Sequence, residues 1–440
     1  MEEKKLTVVK FGGSSLADAN QFKKVKDIIF ADPSRRYVVP SAPGKRFSGD
    51  TKVTDLLYKC YELSSHHQSF SDVFAEVKNR YDDIINGLGM NLSLSADYDE
   101  IESALKHTIG RDYAASRGEY LNSKILAAYL GFQFIDAYGT IFFKEDGSFD
   151  AEKTDEVLSE KLKNVDHAVI PGFYGTMPND TIKTFSRGGS DITGSIVAKA
   201  AHADLYENWT DVSGFLVADP RIVPDSKVIE TITYKELREL SYMGATVLHE
   251  DAVFPVRTCG IPINIRNTNK PDDPGTMIVA ESATPSKGII TGISGKHGFS
   301  VITIEKDQMN RMPGFIRKVL SVLENCRISV EHIPSGIDNM SVVVRSDTLE
   351  KDKEIVVNNI WTAVEPDSIT VENELALIAV VGRGMGGAKG TAARVMSAVA
   401  SAGVNVKMID QGSDEINIIL GVKEEDFEPA IKAIYKEFDK

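Results

Sequence analysis

Residues 6–15 read Leu6-Thr7-Val8-Val9-Lys10-Phe11-Gly12-Gly13-Ser14-Ser15. The apolar half predicts a short buried strand. Adjacent glycines let the backbone turn tightly and aim successive N–H groups at one point. From Asp18 onward Phe22, Val25 and Ile28-Ile29 recur at helical spacing. A strand, a glycine turn and a helix start make a ready anion site, because unpaired N–H groups and the helix dipole both favour negative charge. Lys10 stands at the strand exit, where its ammonium can meet a phosphate. The G-x-x-x-x-G-K-[ST] spacing of a Walker A loop is absent. By itself the stretch is equally readable as an ordinary βα turn with a lysine.

A second stretch shifts that balance. Val169-Ile170-Pro171-Gly172-Phe173-Tyr174-Gly175 predicts a strand entering a turn, and Phe185-Ser186-Arg187-Gly188-Gly189-Ser190-Asp191 precedes an apolar helix pattern through Ala198. Here a glycine pair at a helix start carries an arginine and an aspartate. Two such turns in one domain point to a nucleotide phosphate and an anionic co-substrate.

In these motifs the chain resembles the aspartokinases of the amino-acid kinase family. The opening is similar to the signature Lys-Phe-Gly-Gly-Thr-Ser, with Ser14 at the threonine position. Residues 186–191 are similar to Gly-Arg-Gly-Gly-Ser-Asp, with Ser186 for the first glycine. Trp209-Thr210-Asp211-Val212, Ala218-Asp219-Pro220-Arg221 and Gly244-Ala245 through Leu248-His249 follow in family order. Three positions depart from the family pattern: Leu216 for a tyrosine that packs on the nucleotide, Thr246 for a lysine near the phosphates, and Glu250 for the proline after His249. The resemblance implies an α/β fold, an open and mostly parallel sheet sandwiched by helices, over residues 1–284.

A chain of 440 residues with 42% hydrophobic and 26% charged residues has material for two or three globular domains. The net charge of −14, without a basic block, argues against nucleic acid as a partner. Cys60, Cys259 and Cys326 fit neither a disulfide framework nor a zinc pattern, and a reducing, cytoplasmic setting is the simplest expectation. Met1 to Lys5 does not read as a signal peptide, and no apolar run approaches the roughly 18–20 residues of a membrane span.

Between the two glycine turns lie further candidates. Tyr37-Val38-Val39 predicts a strand, broken by Pro40-Ser41-Ala42-Pro43-Gly44, with Thr54 near the start of the next helix. Residues 58–131 read as mostly helical, and 131–143 as a strand and hairpin. Within the helical stretch, Ser116-Arg117-Gly118-Glu119 combines a glycine that allows close backbone approach with a glutamate that opens an apolar helix. A glutamate there ordinarily serves the helix dipole. The resemblance implies instead that Glu119 receives a substrate ammonium and that Ser41, Thr54, Arg187 and Ser190 also bind the substrate. It also implies that Thr210, Asp211 and Arg221 contact the nucleotide, and that Lys10, Gly12, Gly13 and Ser14 hold its phosphates.

After the turn-rich stretch around 270–286 the pattern repeats. Residues 299–371 predict strand, helix, two strands, helix and a last strand, and a second series restarts at Leu377 but ends on a helix. Strand 289–293 precedes the first copy, so it is expected to complete the second. The expectation is a regulatory region 285–440. Its first unit, about 298–373, is inserted in a second built from about 287–296 and 374–440. Such βαββα modules resemble ACT domains, which bind amino-acid effectors at dimer interfaces. That resemblance implies an effector site at Met309, Pro313, Gly314, Phe315, Ile316 and Glu331, with lysine favoured over threonine. It also implies a homo-oligomer, dimer or tetramer, and a second-copy glycine loop (384–387) that serves pairing, with Gln411 and Asn417 near the interface.

The resemblance thus implies transfer of the ATP γ-phosphoryl group, with Mg²⁺, to the side-chain carboxylate of L-aspartate. Lys10 and Asp191 are the expected catalytic residues, and the carboxylate nucleophile, ionised at neutral pH, needs no general base. Another amino-acid kinase, or a catalytically silent amino-acid sensor, are the alternatives. No fused dehydrogenase half is expected.

Overall fold

The structure, a computed structural model, describes residues 5–107, 109–186, 188–245, 248, 250–280 and 288–439. It divides into two compact units. One comprises Met1–Phe215, Val228–Tyr234 and Thr246–Thr284; the other comprises Leu216–Lys227, Lys235–Ala245 and Pro285–Lys440.

The first unit is built on strands β1 (Thr7–Phe11), β2 (Arg35–Pro40), β3 (Gln133–Phe134), β4 (Ala168–Val169), β5 (Tyr174–Thr176), β6 (Ile182–Thr184), β7 (Leu205–Thr210), β8 (Thr231–Thr233), β9 (Ile263–Asn267) and β10 (Thr276–Val279). Eight of them form one sheet in the order β3-β4-β2-β1-β7-β9-β10-β8, parallel throughout except between β9 and β10, and β5-β6 is a separate hairpin. Central strand β1 is buried along its whole length, as a strand covered on both faces must be. Helices α1 (Ala19–Phe30), α2 (Val53–Ser65), α3 (Ser71–Gly87), α4 (Ser95–Lys106), α5 (Arg111–Leu130), α6 (Ala151–Lys163), α7 (Gly189–Ala200) and α9 (Glu250–Arg257), with α8 (Tyr234–Tyr242) between the last two, complete the N-terminal elements. The Asp18 carboxylate caps α1 by accepting from the N–H groups of Asn20 and Gln21. One core joins Val9, Phe11, Phe22, Leu57, Tyr81 and Ile125.

Along β7 the side chains alternate between faces. Glu207 is buried and bidentate with Arg35, at 2.8 and 3.0 Å, and accepts from Trp209 Nε1 at 2.9 Å. Tyr206 and Asn208 lie on the other face, and the Tyr206 hydroxyl donates to the Asp191 carbonyl at 3.1 Å. The hairpin expected over 131–143 is absent. Past β3 the chain coils instead, with the N–H groups of Thr140 and Ile141 and the Thr140 hydroxyl all taken by the Ala137 carbonyl.

The second unit contains β11 (Gly292–Glu305), β12 (Val330–His332), β13 (Asn339–Arg345), β14 (Ser368–Val381), β15 (Val406–Asp410) and β16 (Asn417–Lys423), in the order β12-β13-β11-β14-β16-β15. Helices α10 (Phe315–Asn325), α11 (Ser346–Leu349), α12 (Lys353–Val364), α13 (Thr391–Ser401) and α14 (Phe427–Phe438) supply two cores. One core is built around Ile302, Phe315 and Val319, the other around Ile378, Val395 and Phe427. The strands read from sequence as separate, 289–293 with 299–304 and 369–371 with 377–381, are continuous. β11 and β14 are each 14 residues long and pair antiparallel, Gly292–Lys296 against Leu377–Val381 and 301–305 against 368–372, with bulges between. Breaks in apolar alternation at the bulges imitate strand ends in sequence.

Candidate active site

The parallel register Lys10↔Asn208 sets two polar side chains side by side on one face of β1 and β7. Lys10 Nζ lies 2.5 Å from Asp191 Oδ1 and donates to Asn208 Oδ1 at 3.3 Å, while Asn208 Nδ2 donates to the same Asp191 oxygen at 2.8 Å. Lys10 and Asn208 are buried, and Asp191 sits in the first turn of α7, one residue after the buried Ser190. Both sequence-predicted catalytic residues therefore meet at the carboxyl ends of parallel strands, where open α/β sheets place ligands.

The glycine turn is welded to the loop that follows β2. Ser41 N–H donates to the Phe11 carbonyl at 3.0 Å and Gly44 N–H to the Gly13 carbonyl at 2.8 Å. A Cβ on Gly44 would come within 2.6 Å of the Gly13 carbonyl carbon, so only glycine permits the approach. Gly12 differs from expectation. Its N–H donates to the Trp209 carbonyl at 2.9 Å and is not free for a phosphate. Gly13 and Ser14 open a 3-10 turn, and helix geometry leaves the first N–H groups of such a turn unpaired.

Glu119 does not begin a helix. It lies in the middle of α5, a 20-residue helix, so the dipole explanation does not apply. Gly118 is placed where a Cβ would meet the Ala42 Cβ at 2.9 Å. The close approach read from the sequence at Gly118 is that of the Ser41–Gly44 loop. Glu119 Oε1 accepts the Ala42 N–H at 3.1 Å, and Asn122, one turn on, donates to the Ser41 carbonyl at 2.6 Å. The two side chains thus grip the same peptide unit. Glu119 is 5% exposed, and its Oε2, like Asn122 Oδ1, is buried with no hydrogen-bond partner among the described residues. Burial, only partly offset by the Ala42 N–H, pushes its carboxyl up to about 8.

Arg80 of α3, which sequence reasoning missed, holds the same loop from the other side. Its guanidinium donates to the carbonyls of Ala17, Gly44 and Thr51 and pairs with Asp50 at 2.6 Å. Hydrogen bonds from Arg46 hold the Asp50 carboxyl well below its usual range. The signal was present, since Arg80 falls on the apolar face of Val77, Tyr81 and Ile84.

Thr54 lies half-buried in the first turn of α2, whose N-cap is Lys52. Thr210 ends β7 and its hydroxyl contacts Asp211 at 3.2 Å. Arg221 is exposed and paired with Asp219 at 2.6 Å, in a segment that groups with the second unit. Arg187, Thr246 and His249 lie outside the described residues.

In the second unit a groove of about 770 Å³ is lined by Ile316, Arg317, Glu331, His332 and Asp410, among others. Glu331 lies within β12 and accepts from the Tyr242 hydroxyl at 2.5 Å, and His332 Nδ1 is 2.6 Å from Asp410. Of the expected effector residues, Ile316 and Glu331 face this groove, whereas Met309 and Phe315 are buried in the core of the first repeat. Pro313 is exposed and Gly314 precedes α10. In the second repeat Asn417 donates to Glu239 at 2.7 Å within the chain. Arg383, beside the glycine loop, pairs with the fully buried Glu236 at 2.6 Å.

The profile of the "Amino acid kinase family" matches residues 5–267, and that of the "ACT domain" matches residues 378–438. Aspartokinase 3 of Bacillus subtilis is 40% identical, with 98% of each chain covered. The chloroplastic aspartokinase 1 of Arabidopsis thaliana is 30% identical over all of this chain and 81% of its own length. Among solved structures, the aspartate kinase of Clostridium acetobutylicum is 51% identical with a TM-score of 0.91, covering 99% of this chain and 100% of that one. E. coli aspartokinase III, solved with aspartate and ADP, shares the fold at 23% identity and a TM-score of 0.74, over 99% of this chain and 100% of its own.

Proposed function

This chain belongs to the amino acid kinase family as an aspartate kinase, and from that premise we propose how its residues carry out ATP-dependent phosphorylation of L-aspartate to 4-phospho-L-aspartate. The reaction needs positioning and charge compensation rather than covalent help. Lys10 carries positive charge to the transferring phosphoryl group, and Asp191 fixes where that charge sits. The N–H groups of Gly13 and Ser14 donate to phosphate oxygens, while Gly12 spends its N–H on the Trp209 carbonyl and fastens the turn to β7. Ser41, Thr54, Ser190 and Arg187 hold aspartate, Arg187 as a fork on the α-carboxylate. Thr210 and Asp211 border the nucleotide.

The observation that carries the reading is the orphaned oxygen of Glu119. A buried carboxylate with an unpartnered oxygen is costly, and beside it stands a second orphaned acceptor one helical turn away. Two acceptors without donors suit an ammonium group, which has three donors and no acceptor.

Among the described residues no group of three or more His, Cys, Asp or Glu side chains clusters as a metal site. A Mg²⁺ ion would be held by phosphate oxygens and water, the habit of this ion, and would neutralise phosphate charge. We assign catalysis to residues 1–284 and regulation to 285–440, as two ACT units with 298–373 nested inside 287–296 and 374–440. The pairing of 292–296 with 377–381 supports the nesting. For the effector we favour lysine over threonine, because Glu331 offers a carboxylate to a cationic side chain. A homo-oligomer formed through the ACT units and a cytoplasmic location complete the reading; no described helix is long and apolar enough to cross a membrane.

The test is Mg²⁺-dependent ADP release on adding L-aspartate, with and without lysine or threonine. Activity lost with lysine, and retained with lysine by Glu331→Ala, is expected. No aspartate-dependent release would overturn the reaction, and sensitivity to threonine alone would overturn the effector.

A further inference from the structure

Asn208 is an uncharged polar side chain, 3% exposed, in the middle of the central sheet. Its register partner on β9 is Ile265, and the adjacent Glu207 is ion-paired, so a buried carboxamide at this position calls for a reason. Its two ends are spent on opposite charges. The carbonyl oxygen accepts from the Lys10 ammonium, and the amide nitrogen donates to Asp191. Those bonds settle which end of the amide is which.

We propose that Asn208 is a positioning residue for phosphoryl transfer, holding the Lys10 ammonium and the Asp191 carboxylate at a fixed separation and orientation. This inference rests on the catalytic reading of Lys10 and Asp191. The backbone makes the arrangement rigid. Lys10 and Asn208 are register partners in a parallel pair buried on both sides, and Tyr206, two residues earlier on the same face, ties the Asp191 carbonyl to the same strand. The start of α7 is thereby fastened to β7 at two points. Without the amide, the Lys10 chain, with four rotatable bonds, has the carboxylate as its single anchor, and the ammonium is free to pivot around one oxygen. With it, the ammonium is held by two oxygens, leaving its third donor for the phosphoryl group.

Substitutions that remove one end of the amide break one demand or both. Leucine leaves Lys10 and Asp191 without their second partner. Aspartate keeps the acceptor for Lys10 but sets a second carboxylate against Asp191, and carboxylates that close share a proton.

The test uses the full-length enzyme with Asn208→Leu and Asn208→Asp. Asn208→Leu should lower kcat by about 10- to 100-fold while the KM for aspartate changes by less than about threefold, since geometry at the phosphoryl group is lost and the ammonium pocket is not. Asn208→Asp, of nearly the same shape, should retain its fold and move the acidic limb of the kcat profile upward by about one pH unit or more. A merely structural asparagine would lower thermal stability and leave that limb in place. The inference is overturned if Asn208→Leu folds and keeps kcat within about twofold of the parent, or if the Asn208→Asp profile superimposes on the parent's. Should Asn208→Leu fail to fold, Asn208→Asp decides alone. Absence of aspartate-dependent ADP release in the parent enzyme overturns the catalytic reading instead, so the two failures are distinguishable.

Discussion

Replacing Glu119 by glutamine tests whether this enzyme carries a binding carboxylate at the expense of its own stability. Burial raises the folded-state pKa from the ordinary 4.5 to about 8. Between those two values the folded protein holds a proton that the unfolded chain has lost, so stability falls as pH rises. Below the ordinary value both states are protonated and the penalty vanishes; above about 8 both are ionised and it is complete. Integrated at about 1.4 kcal/mol per unit, the penalty is about 1 kcal/mol at pH 5 and about 4 kcal/mol at pH 8. Glutamine does not titrate. It keeps the acceptor for the Ala42 N–H but buries an amide nitrogen near the orphaned position, which costs about 1–3 kcal/mol at every pH. The variant should therefore be slightly less stable than the parent at pH 5 and more stable at pH 8. Thermal unfolding of both proteins without substrate reads this directly. About 1 kcal/mol moves Tm by about 2–4 °C in a unit of this size, so the Tm difference should swing by about 5–10 °C in favour of the variant between the two pH values. A Tm difference that stays constant across the range would refute the reasoning. The stabilised variant should also have lost its affinity for aspartate, since a neutral amide is a poor partner for an ammonium group.

Other perturbations probe other parts of the frame. Glu207→Ala leaves the guanidiniums of Arg35 and Arg266, both against the Trp209 ring, without their shared carboxylate, and urea unfolding should show a loss of about 3–5 kcal/mol; a loss below about 1 kcal/mol would mean that the pair is dispensable. Arg80→Ala releases the carbonyls of Gly44 and Thr51 together with Asp50, so limited proteolysis should cut within 44–52 and the KM for aspartate should rise, whereas a loop as resistant as the parent's would contradict the anchoring role. Lys10→Ala should reduce kcat by about two or more orders of magnitude with the fold retained; retained turnover would remove the ammonium from the chemistry. Tyr242→Phe removes the donor to Glu331 and should change the potency of lysine as an inhibitor with basal turnover intact, an effect absent if Glu331 takes no part in effector binding.

How far each residue could be read depended on whether its role was local. The strand–glycine–helix turns at 10–15 and 188–191 were legible because glycine-turn chemistry is a property of a short stretch. Phe22, Val25, Ile28 and Ile29 announced their helix by spacing alone, and the repeated βαββα pattern announced the second unit. Glu119 was legible as a residue but not as an environment. Its placement in mid-helix, its burial and its shifted titration come from a loop some 75 residues earlier that packs on Gly118. Met309 and Phe315 went the other way, because apolar residues beside a helix start look alike whether they line a groove or fill a core.

Taken alone, then, the order of amino acids determined the fold class, most of the succession of elements, the glycine turns and the family. Each of these rests on periodicity, turn chemistry or contiguous motif, which act over a few residues. The tertiary structure decided which groups became partners. Parallel register put Asn208 beside Lys10 across 198 residues of sequence. Close approach of the loop after β2 made Gly44 and Gly118 necessary, and Arg80 was drawn inward by three carbonyls that no local pattern reveals. Burial, charge pairing and register are set by distances in space, and only the folded chain has them.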